Sequence, residues 1–386
     1  MNSQRIKELA YTVGFDLCGI CSPEVIPEAR ERYYRWLELE YHAEMGYLAK
    51  DPIRRSDPSL LLDGARSVIM LGLNYYQPNS AETPMGYGRV ARYARGKDYH
   101  KVVAKKTKEM IGLISDELGD RQVTPSPDDN DDSAESSGRA ESELGDSASA
   151  MAGPDGTGTG EENGSRSRKE DVIPQQAAGH RNTRYPLGHR EFRWFVDYGP
   201  MLERAYAEKA GLGYIGRNGL LISRQFGSWI FLSEIITSLE LTADDPRAIK
   251  HGTCGTCKKC MEACPTGAIV EDRVVDSSKC ISYLTIERPS QVPDDLAAKI
   301  GDRIFGCDVC QEVCPHNYQR QKMTKHEQFL SGGVGEFVDT RKVLAMQTRE
   351  DFLALTAGTP LTRTRLEGMK RNAEIIQRSR RSNSLL

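Results

Sequence analysis

Ten cysteines are the residues here whose type and spacing could do chemistry, and eight of them fall into one pattern. Cys254, Cys257, Cys260 and Cys264, followed by Pro265, reproduce C-x2-C-x2-C-x3-C-P in full. That run ligates iron–sulfur cubanes in bacterial two-cluster ferredoxins. Cys307, Cys310 and Cys314, followed by Pro315, repeat the spacing without its first member, because Ile304 stands there. Cys280, between the runs, is free to make up the deficit. In this pattern three thiolates hold one cluster and a fourth crosses to the other. Cys254, Cys257, Cys260 and Cys314 are therefore expected on cluster one, and Cys264, Cys280, Cys307 and Cys310 on cluster two. The competing reading is a pair of zinc sites, which also use C-x2-C but rarely three such cysteines followed by C-P. A chain with two 4Fe–4S clusters moves electrons.

The remaining pair, Cys18 and Cys21, lies in a short alternating stretch with no further ligand nearby, and reads as small buried side chains. Reduced thiols in this number suit a reducing cytoplasm better than a disulfide framework. No apolar stretch is long enough to span a bilayer, and the first residues show no signal-peptide pattern, so a cytoplasmic protein without membrane attachment is expected. A monomer is expected as well.

The elements that must position the cysteines read as α/β. Helices are expected over 3–13, 26–41, 97–118 and 201–210. Strands are expected over 17–21, 67–73, 192–196 and 228–237. Between them, 119–190 is rich in Ser, Gly, Asp and Glu and reads as a disordered acidic insertion. From Gly119 to Asp171, 14 acidic residues meet 5 basic ones; the whole chain carries only −3, so the rest is net positive. A basic surface is compatible with a polyanion such as RNA, though solvated surface lysines and arginines give the same balance. The expected organisation is 1–118 and 191–250 as two halves of one domain, 251–318 as the cluster domain, and 319–386 as a basic helical tail.

Several motifs then carry a resemblance. Ala91-Arg-Tyr-Ala-Arg-Gly-Lys-Asp-Tyr-His100, Val196-Asp-Tyr-Gly-Pro-Met-Leu-Glu-Arg-Ala205, Gly211-Leu-Gly-Tyr-Ile-Gly-Arg-Asn218, Phe226-Gly-Ser-Trp229 and Lys279-Cys-Ile-Ser-Tyr-Leu-Thr-Ile-Glu287 are similar to motifs of the epoxyqueuosine reductases. The resemblance covers about 1–118 and 190–318. It implies a cobalamin-binding domain like that of reductive dehalogenases, joined to a two-cluster ferredoxin-like domain. It also implies removal of the epoxide oxygen from epoxyqueuosine at the wobble position of tRNA, with a ferredoxin or flavodoxin as electron donor. Weaker similarity around Leu361–Arg365 and Arg371–Ala373 suggests the start of a helical-repeat domain, cut short here.

The same resemblance implies site residues. Asp197 is the expected general acid, its pKa raised in a closed apolar site so that a proton is at hand for the opening epoxide. Read alone, Asp197 is equally a helix N-cap before Gly199-Pro200. The glycines of 211–216 look like a dinucleotide fingerprint but follow a helix, not a strand, so nicotinamide is not expected. In the resembling family this stretch helps build the corrin pocket, which makes Asn218, Ser223, Gly227, Ser228 and Tyr99 candidate cobalamin contacts. His100 is not expected to bind cobalt, and a Tyr-His pair at a helix start is by itself packing or surface. Tyr198 departs from the family pattern, which has Thr. Two other readings remain: a corrinoid reductase for a small molecule, and a two-cluster electron carrier that would need neither Asp197 nor a corrin pocket.

Overall fold

The apolar run Ser67–Asn74 becomes the centre of a sheet because it is buried along its whole length, on both faces. In this computed structural model residues 1–119, 192–248 and 252–383 are described, and they fold together. The acidic insertion expected over 119–190 lies, beyond Gly119, outside the described residues. The described strands are β1 Leu17–Cys21, β2 Ser67–Asn74, β3 Tyr87–Val90, β4 Phe192–Phe195, β5 Tyr214–Ile215, β6 Leu221–Ile222, β7 Ile230–Thr237, β8 Ile269–Glu271, β9 Val274–Val275, β10 Arg303–Phe305 and β11 Phe337–Asp339.

The main sheet runs β1-β2-β7-β4, and each neighbouring pair is antiparallel. Helices and strands alternate along the chain as expected, but the connections do not build the parallel sheet usual for α/β folds. Successive side chains of β2 serve opposite faces. Ile69, Leu71 and Leu73 meet Ile6, Leu9, Met110 and Ile114 from the helices Ser3–Val13 and Tyr99–Leu118. Val68 and Met70 meet Tyr206, Ala207 and Leu212 on the other side. Each such fully buried side chain contributes about 1.5–3 kcal/mol. Cys21 packs in this second core and Cys18 against the first, where burial pushes both thiols up to about 12, so they are inert as expected.

A second sheet, β10-β3-β11, takes one strand from the N-terminal half, one from the cluster segment and one from the tail. Val90, Ile304, Phe305, Val338, Val343, Met369 and Ile376 close its core. The tail expected as a basic helical appendage is thus built in: its apolar residues need this burial, and Phe337–Asp339 supplies an edge strand. Arg371 and Asn372, expected at the start of a helical repeat, point inward. Arg371 donates to the carbonyls of Leu284, Arg288 and Ser290, and Asn372 to those of Thr285 and Ile304. They brace the helix Ile281–Ile286, whose N-cap is Cys280. The helix expected over 26–41 stops at Glu38, where the chain soon turns left-handed at Glu40, φ 54°.

Candidate active site

The eight cysteines gather in the two expected groups. Cys254, Cys257, Cys260 and Cys314 line one small cavity together with Arg217, Asn218 and His316. Cys280, Cys307 and Cys310 neighbour one another, and Cys264 neighbours Cys280. Cys310 also lies near Cys260, so the groups are adjacent. Among the described residues no three His, Cys, Asp or Glu side chains converge tightly enough to hold one metal ion. The Arg217 backbone N–H donates to Cys254 Sγ at 3.4 Å. Asn218 Nδ2 and the Tyr214 hydroxyl, the latter against Cys254 and Cys314, are buried without an oxygen or nitrogen acceptor among the described residues. Buried donors left unpaired cost about 1–3 kcal/mol each, and an anionic cluster is an acceptor for both.

Asn218, a candidate cobalamin contact, is therefore at the cluster-one cavity. Ser223, Gly227 and Ser228 are at the seam between the main sheet and the cluster segment. Ser223 and Gly227 exchange backbone hydrogen bonds, and the Ser223 hydroxyl accepts from Phe226. The Ser228 N–H donates to Asn317 Oδ1 at 2.6 Å and its hydroxyl to Gln311 Oε1 at 2.9 Å. Gly227 has φ 61°, and its backbone sits so close to Asn317 that a Cβ would overlap the amide. These groups are buried with their polar atoms engaged by protein, and they fix the loop from Cys310 to Cys314. Arg92 crosses the same seam: it pairs with Asp308 at 3.0 Å, both buried, and covers the Trp229 ring at 4.7 Å.

Asp197 occupies a left-handed turn, φ 64°, just after β4. It does not cap the helix Glu203–Lys209, whose N-cap is Leu202 without a side-chain bond. Instead the Tyr99 hydroxyl donates to Asp197 Oδ2, and His100 Nε2 lies 3.6 Å from the same oxygen. Asp98 holds the other face of His100, Oδ1 to Nδ1 at 2.8 Å, and also caps the helix Tyr99–Leu118. Tyr99 stacks on Phe231 with ring centroids 4.2 Å apart. The pair expected to be packing or surface is thus the partner of the candidate acid.

The raised pKa expected for Asp197 is not found. Desolvation pushes its carboxyl up, but hydrogen bonds from His100 and Tyr99, and the charges of His100 and Arg204, bring it below the usual carboxylate value. Desolvation lowers His100, and bonds to Asp197 and Asp98 outweigh it, lifting the imidazole from 6.5 to about 9. Near neutrality the proton therefore sits on His100 and the negative charge on Asp197.

This centre is open. The Asp197 side chain is 59 % exposed. Tyr47, near its charge, is 48 % exposed, and the adjoining Tyr198 is 61 % exposed. Two large exposed rings thus stand beside this ionisable centre. A larger cavity of about 490 Å³ lies elsewhere, among Arg89, Arg92, Asp302, Arg303 and Cys307, and does not include Asp197.

Comparison with known proteins agrees with this arrangement. Residues 253–317 match the family described as a 4Fe-4S double cluster binding domain, and residues 55–127 match "Epoxyqueuosine reductase QueG, DUF1730". An epoxyqueuosine reductase of Cyclobacterium marinum is 33% identical over 376 residues, 97% of either chain. The chain belongs to the epoxyqueuosine reductase family. It is an oxidoreductase with an iron–sulfur double-cluster domain. The Escherichia coli (strain K12) relative is 32% identical, and the alignment covers 94% of this chain and 76% of that one. A selenomethionine-labelled epoxyqueuosine reductase shares the fold with a TM-score of 0.74 at 22% identity, over 99% of this chain and 82% of that one. Another, solved with an epoxyqueuosine-modified stem loop of tRNA-Tyr, gives 0.71 at 23% identity, over 97% of this chain and 80% of that one.

Proposed function

We propose that this epoxyqueuosine reductase removes the epoxide oxygen of epoxyqueuosine at the wobble position of tRNA, with Asp197 and His100 managing the proton. The observation that carries the reading is an exposed Asp197, hydrogen-bonded by Tyr99 and ion-paired with His100, in the same fold as two groups of four cysteines. Epoxide to alkene takes two electrons and two protons and releases water. The cysteines Cys254, Cys257, Cys260 and Cys314 would hold one 4Fe–4S cluster, and Cys264, Cys280, Cys307 and Cys310 the other, passing electrons singly from a ferredoxin or flavodoxin. Cobalamin, held in the reductive-dehalogenase manner beside the exposed Tyr47 and Tyr198, would supply the low-potential electron pair that side chains lack.

The chain's own part is the proton. Imidazolium His100, fixed by Asp98 and Asp197, is a charged store of one proton at the mouth of the site. Asp197 and the Tyr99 hydroxyl relay it to oxygen as alkoxide charge develops, which lowers the barrier where charge appears, and the second proton of the released water comes from solvent at this open site. The net positive charge of the chain outside the acidic stretch favours the tRNA polyanion. Among the described residues no helix is long and apolar enough to cross a membrane. We take the working form to be a cytoplasmic monomer.

Asp197→Asn tests the assignment, since it keeps size and loses the ionisable oxygen. Turnover of epoxyqueuosine-containing tRNA falls about 10²–10⁴-fold with unchanged cluster absorbance. Wild-type turnover in that variant would remove Asp197 from the reaction.

A further inference from the structure

A second pair of acids lies under Asp197, and the proton chemistry above does not use it. Glu234 stands in the middle of β7, wholly buried between Met70 of β2 and Phe195 of β4, and neither of its oxygens has a hydrogen-bond partner of good geometry. Its carboxyl faces that of Glu203, on the first turn of the helix Glu203–Lys209. Glu203 Oε1 in turn accepts the Asp197 backbone N–H at 2.7 Å. An apolar strand gains nothing by burying an acid there. The Asp197 turn, with φ 64°, is a conformation that a non-glycine residue holds only when its surroundings fix it.

We propose that Glu203, backed by Glu234, is the positioning residue of Asp197: the carboxyl pair clamps the strained turn that aims Asp197 at Tyr99 and His100. This deepens the proton-transfer reading and rests on it. The groups facing the pair are Asp197, Arg204 and Tyr99 around Glu203, and Glu203 and Asp197 around Glu234. Burial, then the Asp197 charge, lifts Glu203 to about 8, and burial lifts Glu234 well above its usual value, so the pair is protonated at neutrality and the clamp is free of repulsion. The step is purely geometric: no bond is made or broken in the pair.

The test reads His100 by NMR titration of the full, cluster-loaded chain, which needs neither tRNA nor cobalamin. In wild type His100 titrates at about 9. Glu203→Ala removes the acceptor, the turn relaxes, Asp197 leaves His100, and only Asp98 remains, so His100 titrates below about 8. Glu203→Asp, with its carboxyl withdrawn by one methylene, moves His100 in the same direction should the alanine variant fold poorly. Glu203→Gln keeps an acceptor for the Asp197 N–H and leaves His100 at about 9. On epoxyqueuosine tRNA, kcat falls about 100-fold in Glu203→Ala, the scale of an ångström of misplacement, and is restored in Glu203→Gln with KM little changed. His100 unmoved in both Glu203→Ala and Glu203→Asp, or moved equally in Glu203→Gln, overturns the proposal. An inactive wild type with the His100 shifts intact would instead place the failure in the proposed reaction.

Discussion

Arg92→Met is the sharpest perturbation of the seam that holds the two cofactor regions together. The guanidinium pairs with Asp308 at 3.0 Å and Glu312 at 2.7 Å, in a site where the Arg92 and Asp308 side chains are 6% and 7% exposed, and covers Trp229. Asp308 sits between Cys307 and Cys310 and also accepts the Arg92 backbone N–H at 2.9 Å. Met keeps the packing over Trp229 and removes the charge, which strands a buried carboxylate. Breaking a buried pair from one side costs about 3–5 kcal/mol, and losing the cation over the ring adds about 1 kcal/mol. Against a total of about 5–15 kcal/mol this is about a quarter of the stability or more. The midpoint should fall by roughly 5–10 °C, measured anaerobically at one scan rate because loss of clusters makes unfolding irreversible. Adding Asp308→Asn removes the stranded charge and recovers most of the loss. A midpoint within about 2 °C of wild type, or a double variant no better than Arg92→Met, would refute the reasoning.

Other outcomes follow from the site. Glu203 and His100 lose protons as pH rises, near about 8 and about 9, while Asp197 stays ionised, so turnover declines from about 8 upward. In Glu203→Gln the decline starts instead at about 9, read from a kcat–pH profile. Cys280→Ser removes a ligand of one cluster only, and anaerobic iron analysis should drop from about eight to about four per chain. Cys18→Ala leaves the iron unchanged. Gly227→Ala must adopt φ 61° and meet Asn317. It costs about 1–3 kcal/mol and speeds cluster loss, followed by absorbance decay in a chelator.

The double-cluster domain was legible because its cysteine spacing is local, and it matches over 253–317; Cys280 was added as a ligand by counting thiolates. Ser67–Asn74 and Ile230–Thr237 were legible as continuous apolar runs. The partners of Asp197 were not, since Tyr99 lies 98 residues away in sequence and meets it only through the folded sheet. The same distance hid the pKa direction: burial alone raises an acid, and His100, Tyr99 and Arg204 together reverse that here. Glu234 left a readable signal, an acid inside an otherwise apolar strand run, Ile230–Thr237. Asn218, Ser223, Gly227 and Ser228 were read as a pocket lining because their small and polar types suit either a cofactor or a tight seam. Gln311 and Asn317 engage Ser228 and Gly227, while Asn218 lines the cavity of Cys254, Cys257, Cys260 and Cys314. Arg371, expected at the start of a helical repeat, turned inward, since three backbone carbonyls await it.

The most direct measurement of the central claim is turnover of anaerobically reconstituted protein on epoxyqueuosine-containing tRNA, with and without cobalamin, read by nucleoside mass spectrometry. The account predicts loss of one oxygen from the modified base only when cobalamin is present. An unchanged nucleoside, with cobalamin bound and both clusters reducible, would contradict it.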